Sequence, residues 1–81
     1  MTDNEVIATL RLIGFTNDPV AVSPKYYTRD TATVVLDIDL DRITVMDTVT
    51  GKQIKTVTSN LTTKALKSML RDARSIFKEV V

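Results

Sequence analysis

The chain has 81 residues, 43% of them hydrophobic and 26% charged, with a formal net charge of +1; that mix supplies enough apolar surface to fold and argues against disorder. It contains no cysteine and no histidine, which excludes disulfide staples, thiol chemistry, the usual zinc sites and a Ser–His–Asp triad within one chain. Its two glycines, Gly14 and Gly51, do not make a Gly-rich phosphate loop.

The length fits one small globular domain spanning residues 1–81. A secreted domain of this size usually needs disulfides, so a chain without cysteine points to a reducing, cytoplasmic setting. The start, Met1-Thr2-Asp3-Asn4-Glu5, is acidic and lacks the basic head of a signal peptide. No apolar run approaches the roughly 20 residues that span a bilayer, so no membrane partner is expected. Charge is uneven along the chain. Residues 1–60 carry six Lys/Arg against eight Asp/Glu, and residues 61–81 carry five against two.

The predicted elements begin with a helix over Asp3–Ile13. Thr2 and Glu5 have capping-box spacing; Val6, Leu10 and Ile13 recur at helical intervals; Gly14 stands where a left-handed cap ends a helix. A strand competes for this segment, because Val6, Ala8, Leu10 and Leu12 also alternate and several residues are β-branched. The two end signals favour the helix. Residues 16–30, with Pro19 and Pro24, read as a loop in which Tyr26 and Tyr27 begin a strand or cover the core edge.

The clearest β signal follows. Val34, Leu36, Ile38 and Leu40 alternate with Thr33, Val35, Asp37 and Asp39, which places one apolar and one mostly polar face on a strand. A turn near Asp39–Arg42 leads into a second strand over Ile43–Thr48. The stretch Thr48-Val49-Thr50-Gly51-Lys52 is a hairpin loop with Gly51 at positive φ, and Gln53–Thr58 returns as a third strand. A C-terminal helix capped by Asn60, Thr62 or Thr63 then carries Ala65, Leu66, Met69, Leu70, Ala73, Phe77 and Val80 on one side. The expected class is α+β: helix, three-stranded antiparallel meander, amphipathic helix (α-β-β-β-α), with both helices on one face of the sheet. In element order this is similar to double-stranded RNA-binding domains and to small toxins of related shape. No family motif accompanies that order, and fold alone does not carry function.

Three features bear on function. The first is the sheet face left open by the helices, which should include Val35 and Met46 in a region rich in threonine: Thr31, Thr33, Thr44, Thr48, Thr50, Thr56 and Thr58. Such a surface suits a protein partner or a second copy of the chain, through the face or through an edge strand; the plain alternative is ordinary strand composition. The second is a basic ridge on the last helix, Lys64, Lys67, Arg71, Arg74 and Lys78. Spaced three and four apart, these could follow a phosphate backbone, although a small-domain helix needs a solvated face in any case. The third is the trio Asp37, Asp39 and Asp41. Hard oxygen ligands suit Mg²⁺ or Ca²⁺, but the spacing matches no complete ligand loop. The expectation is a non-enzymatic interaction or self-associating module without a cofactor. A nucleic-acid-binding protein is the alternative, and a carboxylate metal site is a distant third.

Overall fold

A computed structural model of the chain describes residues 1–17 and 23–73. The first helix, α1, runs over Asp3–Ile13, so the helical reading prevails over the competing strand. Its capping box closes as the spacing implies: Thr2 Oγ1 accepts from the Glu5 N–H at 3.2 Å, and Glu5 Oε1 accepts from the Thr2 N–H at 3.3 Å. At the other end Gly14 takes φ 105°. The Gly14 N–H donates to the Arg11 carbonyl at 3.1 Å and the Phe15 N–H to the Leu10 carbonyl at 2.9 Å. This is a Schellman motif, and its accompanying apolar pair, Phe15 and Leu10, is buried.

Five antiparallel strands follow in simple meander order: β1 (Thr16–Asn17), β2 (Lys25–Arg29), β3 (Ala32–Asp37), β4 (Arg42–Asp47) and β5 (Gln53–Val57). The three expected strands are β3, β4 and β5. The expected three-stranded sheet, and with it the similarity of element order, is corrected by β1 and β2, which lie in the segment read as a loop. Only Tyr27 in β2 contributes apolar bulk to the core, so a periodicity search has one residue to find. What makes Lys25–Arg29 a strand is the continuous register Lys25↔Leu36 to Arg29↔Ala32 against β3, in which the neighbour's backbone satisfies its own polar groups. The Ser23–Pro24 peptide bond before it is cis.

β3 ends at Asp37 rather than continuing through Leu40. Asp37 Oδ1 accepts from the Leu40 N–H at 3.2 Å, the Asp41 N–H donates to the Ile38 carbonyl at 3.3 Å, and Asp41 enters the left-handed region at φ 50°. The alternation therefore breaks: Ile38 packs at the core margin, while Leu40 is 59% exposed. The β4–β5 loop is as expected, with Gly51 at φ 76°. Asp47, a buried acid that periodicity does not single out, organises it. Its Oδ1 accepts from the Val49 N–H at 2.9 Å, and its carbonyl accepts from the Gly51 N–H at 2.8 Å.

A 3-10 turn at Thr58–Asn60 leads to the second helix, α2, over Thr63–Ala73. Thr62 is its cap, accepting from the Ala65 N–H at 3.1 Å. Of the expected apolar stripe, Leu66, Met69 and Leu70 are buried and Ala65 partly so; Phe77 and Val80 lie outside the described residues. The core is one cluster. Val6 and Leu10 from α1, Leu66, Met69 and Leu70 from α2, and Phe15 and Leu61 from the connections meet Tyr27, Ala32, Val34, Leu36, Ile43 and Val45 from a single sheet face. Both helices therefore cover that face. No helix among the described residues is long and apolar enough to cross a membrane.

Candidate interaction face

The register places the remaining strand residues on the reverse face in three cross-strand rows. One is Asp37–Arg42–Val57; the next is Tyr26–Val35–Thr44–Lys55; the third is Thr28–Thr33–Met46–Gln53, with Thr16 beside Thr28. Val35, Thr33, Thr44 and Met46 are half-buried, and Tyr26 is 50% and Val57 39% exposed. Among the described residues no helix covers this face. Val35 and Met46 thus stand where the alternation puts them, one row apart on adjacent central strands.

The threonines distribute differently from the expectation. Of the seven in residues 31–58, only Thr33 and Thr44 are on the reverse face, where Thr16 and Thr28 join them. Thr56 pairs with Ile43 and faces the core, and Thr58 is buried. Thr48 leaves the sheet to donate both its N–H (2.8 Å) and its hydroxyl (2.7 Å) to the Thr31 carbonyl. Thr50 accepts from the Lys52 N–H at 3.3 Å. Their β-branched, hydroxyl-bearing side chains serve turns as well as strands. Tyr26, expected to begin a strand or cover the core edge, lies in β2 and is the largest exposed apolar side chain on the face; pairing its neighbour Tyr27 inward against Val34 is what turns it outward.

The basic ridge is brought together in part. Lys64, Lys67 and Arg71 are exposed on the side of α2 away from its buried stripe; Arg74 and Lys78 lie outside the described residues. The aspartate trio is dispersed. Asp37 Oδ1 bonds the Leu40 N–H and, at 3.3 Å, the Ser23 hydroxyl. Asp39 is exposed in the turn, and Asp41 is engaged by Thr58. The hydroxyls of Thr58 and Ser59 hold the Asp41 carboxyl below its ordinary value of 3.8. Among the described residues no group of three or more acidic side chains is placed to hold a metal ion. The strand end at Asp37 is the physical reason, since Asp39 and Asp41 leave the sheet and the shared face the spacing implied is lost.

Among the described residues three buried side-chain oxygens have no hydrogen-bond partner: Asp3 Oδ1, Thr31 Oγ1 and, within the core, the Tyr27 hydroxyl. Burial holds its ionisation above the ordinary tyrosine value. Its ring is fully buried in the core cluster, which is a packing role.

Compared with known proteins, the chain matches no family model, and no curated protein or solved structure is significantly similar to it.

Proposed function

We propose that this chain is a non-enzymatic interaction module whose working surface is the reverse face of its sheet. The observation that carries the reading is the asymmetry of the two faces. One is sealed by α1 and α2, while the other presents Tyr26, Val35, Met46 and Val57 among threonines with no described helix over them. Aromatic and aliphatic side chains set among small polar ones are the composition of a docking patch, where a tyrosine contributes much contact area for little lost freedom. The edge strand β5 suits a partner less well. Lys55 sits at its centre, and a lysine on an edge strand opposes strand addition. The partner is a protein or a second copy of this chain. A cytoplasmic setting remains the reading that the absence of cysteine supports.

A photo-crosslinking residue at position 35, compared with one at position 67 on α2, tests the reading. Protein adducts formed through position 35 and not through 67 support it. Adducts confined to position 67, or none at either, overturn it.

A second reading rests on the exposed basic side of α2. There the side chains of Lys64, Lys67 and Arg71 make no hydrogen bond or ion pair among the described residues, so they are free to meet phosphates. It expects nucleic-acid affinity that falls steeply with salt and is lost on joint Lys67→Glu and Arg71→Glu substitution. A flat titration against single- and double-stranded RNA and DNA at low salt removes it.

A further inference from the structure

The reverse face is complementary to itself. Taking it as the working surface, we infer that its partner is a second copy of the chain, stacked sheet to sheet about a two-fold axis that runs along the strands between β3 and β4.

The argument is one of register and charge. Such an axis lays β2 of one copy over β5 of the other, and β3 over β4. The observed cross-strand rows then match residue by residue. Asp37 falls on the other copy's Arg42, Tyr26 on its Lys55, Val35 on its Thr44, Thr33 on its Met46 and Thr28 on its Gln53, each contact occurring twice. Both charged residues of one copy's central strands meet their opposites. Both lysines lie over a half-exposed tyrosine ring, where an ammonium is attracted by the ring face. The centre is Val, Thr and Met, which interdigitate at the roughly 10 Å separation of stacked sheets.

The rival arrangements lack this match. A two-fold axis perpendicular to the strands and through the Tyr26–Val35–Thr44–Lys55 row sets Lys55 on Lys55 and Asp37 on Thr33. Antiparallel addition of β5 to β5 in its fully overlapped register also sets Lys55 against itself, and like charges directly opposite are destabilising. The cations are available. Neither the Arg42 nor the Lys55 side chain has a hydrogen bond or ion pair among the described residues, although Arg42 stands in register beside Asp37 on the same face. Asp37 bonds the Leu40 N–H and the Ser23 hydroxyl through one oxygen, Oδ1. Four strands spaced about 4.8 Å apart make a patch at the small end of specific interfaces, so the association is of modest affinity.

Sedimentation equilibrium of the full chain, from about 10 μM to about 1 mM, tests the pairing. The native protein reversibly dimerises. Arg42→Glu faces Asp37 with a second acid and weakens the dimer about tenfold or more; Asp37→Lys faces Arg42 with a second base and does the same. An equimolar mixture of the two variants restores association to within about threefold of the native protein, because each mixed contact again joins opposite charges. Asp37 also caps the β3–β4 turn, so circular dichroism checks that its variant folds. If it does not, Arg42→Glu and Lys55→Glu decide alone, and each must weaken the dimer. A native chain that stays monomeric throughout overturns the inference, as does a dimer indifferent to both changes. Position-35 adducts to a different protein alongside a monomeric chain would remove the second copy and leave the interaction face standing; neither adducts nor a dimer would remove both.

Discussion

Thr58 and Asp41 clamp the β3–β4 turn to the end of β5. The Thr58 N–H donates to the Asp41 carbonyl at 2.9 Å while its hydroxyl donates to Asp41 Oδ1. Asp41 is held at φ 50°, a conformation that aspartate tolerates better than most residues. Two turns far apart in sequence are thereby joined. The same region receives the N-terminus: the Met1 ammonium donates to the Leu61 carbonyl at 2.6 Å, fixing the start of α1 beside the entry to α2.

Thr58→Val keeps the shape of this buried side chain and removes the donor. The Asp41 carboxylate is solvated and recovers water, so the expected cost is about 1 kcal/mol. Urea denaturation of the two proteins at neutral pH measures it.

Acid should weaken the fold in a definite window. Asp41 is held below its ordinary 3.8 by Thr58 and Ser59, and Glu5 below its ordinary 4.5 by hydrogen bonds from the Thr2 backbone and hydroxyl. A carboxyl with a lowered folded-state pKa binds protons more readily when unfolded. Its contribution is therefore complete above the ordinary value and lost as pH falls through the folded one. Tm should hold from about pH 7 to about pH 5 and fall below that. The double change Glu5→Gln with Asp41→Asn should flatten the decline, and an unchanged acid slope in that variant would contradict this assignment.

Gly14→Ala tests the α1 terminus. The added Cβ meets only ordinary contacts, the nearest being Arg29 Nε at 3.7 Å, so crowding is not the issue. The strain comes from φ 105°, and the expected loss is about 1–2 kcal/mol. Arg29→Met should add to it, since Arg29 Nη1 donates to the Ile13 carbonyl at 2.8 Å. Thermal melts of the single and double variants read both effects.

Val34 and Val35 are neighbours with opposite fates. Val34 is fully buried, and Val34→Lys places an unpaired ammonium in the core; the cost of several kcal/mol should unfold so small a domain. Val35→Lys should leave the melt nearly unchanged and abolish association through the reverse face. Circular dichroism with sedimentation separates the two outcomes. If Val35→Lys also unfolds the chain, the reverse face is part of the core.

Much of the fold was legible because its signals are local. Thr2, Glu5 and Gly14 mark both ends of α1 by hydrogen bonds that span three to five residues. The alternation in β3 records which side is buried, and Gly51 marks a loop that needs positive φ. The spacing of Leu66, Met69 and Leu70 marks the inner side of α2. Val35 and Met46 followed from the same period-two rule.

The remainder belonged to pairing at a distance. β2 exists because β3 lies beside it, and one inward tyrosine is too little pattern to announce a strand. Likewise, the aspartates at 37, 39 and 41 share a face only if the strand continues, and hydrogen bonds to Leu40 and Thr58 end it first. By itself the sequence determined most of the buried apolar positions of α1, β3 and α2 and both ends of α1, since hydrophobic period and capping act over a few residues. Only the tertiary structure decided the five-strand register, and so which charges share the reverse face, because that depends on backbone groups brought together from separate parts of the chain.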